Sequence, residues 1–274
     1  MDIIVLVKQV PDTTEVKLDP KTGNLLREGV KSIMNPDDRH ALEAAISLKE
    51  ALGGKVIVLS MGPAQAIDVI SEAIGMGVDE GILLSDRAFA GADSFATSYT
   101  LGKAIDKIGK FDLIICGRQA IDGDTAQIGP QVAEYLGLPQ VTYVFAIEAV
   151  EAGTIVVRRR LEDGFEKVQC SLPAVLTVIR EVNRPRYPKV GELIEACTQH
   201  APIQIWDAAD IGAQTCDLGL DGSLTHVIRT FAPKMKREGE ILKGDTRTVV
   251  RSLLEKLRQN RVSGIGHRIE EFRD

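Results

Sequence analysis

Residues 55–85 read KVIVLSMGPAQAIDVISEAIGMGVDEGILLS, and their pattern gives the clearest indication of the fold. Short apolar runs, Lys55–Ser60 and Glu80–Ser85, stand at its two ends, and apolar residues recur at helical spacing in Pro63–Ile74 between them. A strand, a helix and a second strand in succession are typical of parallel strands that are covered by helices. This stretch therefore predicts one unit of an α/β fold.

The same alternation continues on both sides of this unit. Before it, the pattern predicts a strand at Ile3–Val7 and a helix over residues 36–52, with Asn35 as the N-cap. After it, Asp93–Ile108 has helical spacing and Phe111–Cys116 forms another apolar run. Nearly continuous apolar strands indicate burial on both faces, so we expect a doubly wound, mostly parallel sheet.

Two segments depart from this alternation. Strong turn residues within Val16–Met34 predict a projecting hairpin. Beyond residue 140, four runs separated by short turns predict an antiparallel extension of the sheet. These runs are Val141–Val150, Thr154–Leu161, Glu166–Cys170 and Ala174–Arg180.

Composition excludes several classes of protein. The chain has 274 residues, and a hydrophobic content of 44% is enough to bury a core, which argues against general disorder. A net charge of −6 and an aromatic content of 4% are unfavourable for binding nucleic acid. No apolar run approaches the roughly 20 residues that span a bilayer. The first residues do not resemble a secretory signal, so we expect a cytoplasmic protein.

Cysteine and histidine give no sign of a metal site or of a nucleophilic enzyme. The four cysteines include no C-x-x-C pair, and the four histidines occur in no H-E-x-x-H arrangement. No Ser-His-Asp or Cys-His pattern is present either. We therefore assign no catalytic residue, and we expect any chemistry to belong to a bound cofactor.

The C-terminal part of the chain differs from the rest. Residues 229–268 carry 11 basic and 4 acidic side chains, and Thr246–Gln259 has the apolar stripe of an amphipathic helix. A short amphipathic helix needs a surface to pack against, so we favour a partner-binding arm, with a solvated tail as the alternative. We divide the chain into an α/β domain, residues 1–205, and an arm with its helix, residues 206–274.

One loop stands out as a candidate binding site: GRQAIDGDTAQIGPQ, residues 117–131. It follows the apolar strand Phe111–Cys116 and leads into a helix that ends at Tyr135 or Leu136. Ligands of open parallel sheets bind at the carboxyl ends of the strands, and free N–H groups at a helix start suit a phosphate. We expect Asp124 or Thr125 to cap this helix. A glycine-rich turn with an acidic cap and no ligand is the alternative.

Six segments, taken in order, resemble the beta subunit of electron-transfer flavoprotein. The resemblance covers essentially all of residues 1–205 and, more loosely, the arm. The segments are Val5–Pro11 (VLVKQVP), Met34–Asp37 (MNPD), Ser60–Gln65 (SMGPAQ), Gly117–Gln131, Leu172–Val175 (LPAV) and Asn183–Tyr187 (NRPRY).

This resemblance implies the fold, the partner and the role of the arm. It implies an α/β sheet of the adenine-nucleotide-binding (Rossmann-like) type, with an antiparallel extension. It also implies an obligate alpha subunit that holds its own FAD. The arm, residues 206–274, is then expected to embrace the flavin domain of that alpha subunit.

Members of the family differ in what the beta subunit binds. Some hold AMP as a structural ligand, whereas electron-bifurcating members hold a complete FAD, and the small residues Gly123 and Ala126 resemble the second group. The resemblance then implies that this FAD takes a hydride from NADH. One electron passes to the alpha-subunit FAD and on to an acyl-CoA dehydrogenase, an enoyl-CoA reductase or a lactate dehydrogenase. The other passes to ferredoxin or flavodoxin. A non-bifurcating beta subunit with AMP and a non-redox nucleotide-binding regulator stay open as alternatives.

The resemblance also implies which residues bind the cofactor. Thr125 and Gln127 are expected to contact phosphate, and Arg118 to neutralise it. Asp122 or Asp124 is expected to bind the ribose or to cap the helix. The adenine region is assigned to Leu6, Asn35, Pro36, Asp37, Asp38 and Met61. The ribose and the phosphates are assigned to Gly117, Arg118, Ala120, Ile121, Asp122, Gly123, Asp124, Thr125, Ala126, Gln127, Ile128, Gly129, Pro130 and Gln131.

Overall fold

The computed structural model describes residues 1–12, 17–18, 25–26, 31–151, 153–198, 201–228 and 239–259. The strands are β1 (Asp2–Val7), β2 (Gln9–Pro11), β3 (Lys17–Leu18), β4 (Leu25–Leu26), β5 (Ser32–Met34), β6 (Lys55–Met61), β7 (Glu80–Leu84), β8 (Leu113–Gly117), β9 (Gln140–Glu151), β10 (Thr154–Leu161), β11 (Gly164–Ser171), β12 (Ala174–Val178) and β13 (Ile203–Trp206). The helices are α1 (Pro36–Leu52), α2 (Ile67–Met76), α3 (Ser94–Ile108), α4 (Ile128–Leu136), α5 (Val190–Ala196) and α6 (Thr246–Gln259).

Nine of these strands form one sheet, in the order β11-β10-β9-β12-β8-β1-β6-β7-β13. From β9 to β13 every neighbouring pair is parallel. The last two strands on the other side, β10 and β11, are antiparallel to their neighbours. The predicted fold class, a mostly parallel α/β sheet with an antiparallel extension, is confirmed.

The place of β12 differs from the prediction. The sequence pattern put Ala174–Arg180 in the antiparallel extension, but β12 lies inside the parallel sheet, between β8 and β9. All five residues of β12 are buried. An uninterrupted apolar run is typical of a parallel strand with both faces covered, and this burial explains its position.

Helices cover both faces of the sheet. Leu42 of α1 and Ile70 of α2 belong to the core on one face, and Ile105 of α3 and Val132 of α4 belong to the core on the other. Successive strand residues point to opposite faces, so each central strand contributes to both cores. The carboxyl ends of β1, β6 and β8 therefore lie side by side at one edge of a doubly wound sheet.

The predicted hairpin is described only in part. Strand β3 pairs with β4, and β2 pairs with β5, both in antiparallel register. These pairings agree with a hairpin over Val16–Met34. The expected turn at residues 19–24 lies outside the described residues.

The chain divides into two compact units, Met1–Thr230 and Phe231–Asp274. The first unit includes β13 and the segment after it, in which Ala208, Ile211 and Leu218 are buried. The second contains α6, whose predicted bounds are confirmed. The assignment of residues 206–274 to an arm that embraces a partner stays a prediction. Among the helices described above, none has both the length and the apolar character that crossing a membrane requires.

Gly129 marks a close approach of α4 to the sheet. A Cβ at this position would lie 2.5 Å from Cγ2 of Thr177 and 2.9 Å from Sγ of Cys116. Both neighbours belong to buried strands, so Gly129→Ala is expected to lower the free energy of unfolding by about 1–3 kcal/mol. Urea denaturation of the purified protein measures this change.

Gly191 offers a matched control, because it occupies the same second position in α5. A Cβ there would have no atom within 4 Å. Gly191→Ala is expected to change the free energy of unfolding by less than about 0.5 kcal/mol. Equal destabilisation by the two substitutions would contradict the packing account.

Candidate nucleotide-binding site

Asn35 joins the start of α1 to the candidate loop. It occupies the predicted N-cap position, but its side chain makes no capping bond to its own helix. Instead, its Nδ2 donates to the carbonyl oxygen of Gln119 at 2.9 Å, and its Oδ1 accepts from the amide of Ile121 at 3.1 Å. The residue is 0% exposed. Asn35 thus holds the first part of the loop against the sheet.

Asp38, one turn further along α1, joins two neighbouring strands. Its Oδ2 accepts from the amide of Lys8 at 2.8 Å, and its Oδ1 accepts from the amide of Gly117 at 3.1 Å. These amides lie at the carboxyl ends of β1 and β8. Burial is the largest influence on this carboxyl and raises the pKa of Asp38 to about 7. A Cβ at position 117 would lie 2.4 Å from Oδ1 of Asp38, so only glycine fits there.

The two acidic residues of the loop are held by neighbouring side chains. Asp122 forms an ion pair with Lys8 at 2.8 Å, and Asp124 accepts a hydrogen bond from Nε2 of Gln119. The expectation that Asp124 or Thr125 caps α4 is wrong, because Gln127 occupies the N-cap position and makes no capping bond through its side chain. Each carboxylate already has a partner, which leaves the first amides of α4 without a side-chain cap.

The loop backbone is strained next to this helix start. Asp124 and Ala126 have φ angles of 52° and 54°, in the left-handed region that disfavours residues with a Cβ. Strain of this kind persists where the surrounding contacts over-determine the backbone, and it is frequent at ligand sites.

Three buried polar atoms near the carboxyl ends of the strands have no hydrogen-bond partner within the described residues. They are Oγ of Ser60, Nε of Arg118 and Oε1 of Gln131. Ser60 lies in β6, Arg118 follows β8 directly, and Gln131 lies in the first turn of α4. Buried polar atoms are normally paired, so an unpaired set at this edge fits a polar ligand. With the uncapped helix start, which suits an anion, the site fits a phosphate-bearing nucleotide.

Comparison with known protein families decides the family. The model described as "Electron transfer flavoprotein domain" matches residues 22–211, well over half of the chain. The chain belongs to the electron transfer flavoprotein family. The resemblance drawn from the sequence motifs is confirmed.

Relatives place the chain among the beta subunits of this family. It is 51% identical to the electron transfer flavoprotein subunit beta of Thermoanaerobacterium thermosaccharolyticum over 262 residues, which cover 96% of this chain and 100% of the relative. It is also 51% identical, over 264 residues and the same shares, to the caffeyl-CoA reductase-Etf complex subunit CarD of Acetobacterium woodii. The acryloyl-CoA reductase electron transfer subunit gamma of Anaerotignum propionicum is 41% identical over 270 residues, with 96% of this chain and 100% of the relative covered.

The residues assigned to the cofactor fall into three groups in this flavoprotein subunit. Those at the tip of the loop are exposed: Asp122, Gly123, Asp124, Thr125 and Gln127. Half-buried residues surround them: Pro36, Met61, Arg118, Ala120, Ile121, Ala126, Ile128, Pro130 and Gln131. The buried ones are Leu6, Asn35, Asp37, Asp38, Gly117 and Gly129. Leu6 belongs to the core that contains α3 and α4. The individual ligand contacts of all these residues stay predictions.

Sequence reasoning did not find three residues that contact this set. Oγ of Ser94 donates to Oε1 of Gln127 at 2.7 Å. Nε of Arg180 donates to Oδ1 of the buried Asp37 at 2.9 Å. The guanidinium of Arg118 lies 5.5 Å from the ring centre of Tyr143, a residue with φ of 59°. Of these three residues, only Arg180 could have been found from the sequence, because it stands at the end of an apolar strand.

Asn35 gives a direct test of how the loop is held. Asn35→Ala leaves the part-buried carbonyl of Gln119 and the part-buried amide of Ile121 without these partners, so we expect a loss of about 1–3 kcal/mol in the free energy of unfolding. Amide hydrogen exchange should also become faster across residues 117–127, because their anchor is lost.

A second asparagine, which contacts α1 from the segment after β12, provides the control. Asn183 makes two hydrogen bonds of 2.9 Å to His40 of α1, away from the loop. Asn183→Ala should destabilise the protein without changing exchange in residues 117–127. Unchanged exchange in Asn35→Ala would show that Asn35 does not hold the loop.

Proposed function

We propose that this chain is the beta subunit of an electron-bifurcating flavoprotein and that its nucleotide site binds FAD. When bound, FAD would supply the chemistry of taking a hydride from NADH and releasing single electrons, one towards the alpha-subunit FAD and one towards ferredoxin or flavodoxin. The chain itself supplies binding, orientation and electrostatics, since no side chain is assigned to proton transfer.

The diphosphate has a suitable place at the start of α4. Amides of the first turn of α4 lack a side-chain cap and point towards the loop, and helix starts attract negative charge. The guanidinium of Arg118 forms no ion pair within the described residues, so its charge is available to a phosphate. Lys8 neutralises Asp122, which limits repulsion between this carboxylate and the diphosphate.

The open space beside Gly123 is the observation that favours FAD over AMP. A Cβ at Gly123 would have no atom within 4 Å, and the half-buried Ala126 carries only a methyl group. These two positions therefore leave more room for a ligand longer than AMP than larger side chains would.

The proposal includes partners beyond the nucleotide. An alpha subunit with its own FAD is the first, and α6 is a candidate contact because Val250 and Leu253 are 48% and 45% exposed on an amphipathic helix. We further propose that electrons pass to an acyl-CoA dehydrogenase, an enoyl-CoA reductase or a lactate dehydrogenase. The names of two relatives include a CoA-ester reductase, which favours the reductase.

Gly123→Asp tests the position of the diphosphate. The new carboxylate would add bulk and negative charge beside the phosphates, so FAD affinity of this subunit should fall at least about 10-fold, which corresponds to about 1.4 kcal/mol. FAD in the alpha subunit should stay bound, and NADH-dependent reduction of ferredoxin should be lost. Flavin released from the purified heterodimer measures both sites.

Gly164→Asp is the matched control for this substitution. Gly164 begins β11 at an exposed turn, and a Cβ there also has no atom within 4 Å. This variant should retain the flavin content of the parent protein. If Gly123→Asp also retains it, the placement of the diphosphate is wrong.

A further inference from the structure

Asp38 occupies a junction that the nucleotide site depends on. The residue is 6% exposed, and both of its carboxylate oxygens accept hydrogen bonds from main-chain amides, those of Lys8 and Gly117. Lys8 is the first residue after β1, and Gly117 is the last residue of β8, the strand paired with β1. The carboxylate therefore fixes where the loop leaves the sheet.

Among the described residues, no side chain of opposite charge pairs with Asp38. Asp37 precedes it on α1 and is paired with Arg180, which lies beyond β12. On the facing strand β8, the thiol of Cys116 is buried, and its pKa is raised by burial and by the charge of Asp38. The ammonium group of Lys8 is directed to Asp122 of the loop. Within the described residues, no lysine or arginine forms an ion pair with Asp38.

Protonation would reduce the number of hydrogen bonds that the carboxyl group of Asp38 can accept. An ionised carboxylate accepts hydrogen bonds through both oxygens, whereas a protonated one has a hydroxyl that is a donor and a poor acceptor. The neutral form therefore faces two N–H donors with only one good acceptor. One of the two strand ends loses its anchor when the proton binds.

We propose that Asp38 is a positioning residue for the nucleotide site, and that its ionised form holds the loop in the geometry that binds the nucleotide. This inference rests on the proposed function, because it concerns the same site. The affinity of this subunit for FAD then rises as pH increases through the range in which Asp38 ionises.

The stability of the fold should change with pH in the opposite direction. Burial raises the pKa of Asp38 from 3.8 to about 7, so the folded chain holds a proton that the unfolded chain releases between these values. The contribution of Asp38 to stability is therefore full below pH 3.8 and is lost as pH rises towards 7. As pH increases, the affinity for FAD should therefore rise while the contribution of Asp38 to the free energy of unfolding falls. A merely structural role would not raise the affinity for FAD in this way.

The test measures FAD affinity of the heterodimer by fluorescence titration between pH 5.5 and 8.5, after the nucleotide of the beta subunit has been removed. The diphosphate of FAD is fully ionised across this range, so the ligand adds no titration of its own. For the parent protein we expect affinity to rise about 10-fold from pH 6 to pH 8, as one ionising group requires. Asp38→Asn should bind FAD more weakly and with no dependence on pH.

Asp112→Asn is the control, because Asp112 also accepts from a main-chain amide of β1. Its Oδ2 accepts from the amide of Asp2 at 2.7 Å, at the opposite edge of the same strand pair. This variant should keep the pH dependence of the parent. A flat profile in the parent, or the parent's slope in Asp38→Asn, would overturn the inference.

The outcome for Asp38 is separable from the outcome for FAD. If the parent heterodimer binds AMP and no FAD in this subunit, the proposed function fails. The same comparison of parent and Asp38→Asn is then made with AMP, where a difference in slope still supports the role of Asp38 and equal slopes overturn it.

Discussion

The structure depends on one buried polar contact, in which the first turn of α1 binds main-chain groups at the carboxyl edge of the sheet. Asp38 accepts from the amides at the ends of β1 and β8, and Asn35 bonds the loop that follows β8. Such groups are costly to bury unless their hydrogen bonds are made, so each lost bond weakens the arrangement. The same helix thus packs the core and shapes the site.

Two ion pairs near this contact neutralise carboxylates close to the loop, which suits the anion binding that we propose. Asp122 is paired with Lys8, and Asp37 with Arg180, so neither carboxylate is left unneutralised near the loop. Of these two pairs, Lys8–Asp122 is exposed and adds little stability, about 0–1 kcal/mol. Their importance lies in the local potential, because the uncapped start of α4 and the guanidinium of Arg118 then dominate the field that a phosphate meets.

Local patterns in the sequence predicted the elements well and their tertiary partners poorly. The strand–helix–strand pattern of residues 55–85 predicted the parallel sheet because periodicity and burial are local signals. The same reasoning wrongly put Ala174–Arg180 in the antiparallel extension. The composition of a strand does not determine which strands become its neighbours in the sheet. It found Asn35 at the helix start but not its bonds to Gln119 and Ile121, which join residues 84 and 86 positions apart. The expected cap of α4 is wrong for a local reason, since Gln127 takes the N-cap position and Asp124 accepts from Gln119 instead.

We propose that this subunit binds FAD, and the nucleotide content of the purified complex is the clearest test of this proposal. The heterodimer is denatured, and the released FAD and AMP are separated by chromatography and quantified against protein. The account predicts two FAD molecules for each heterodimer, one from each subunit, and no AMP. One FAD together with one AMP would contradict it and would make the chain a non-bifurcating electron-transfer subunit.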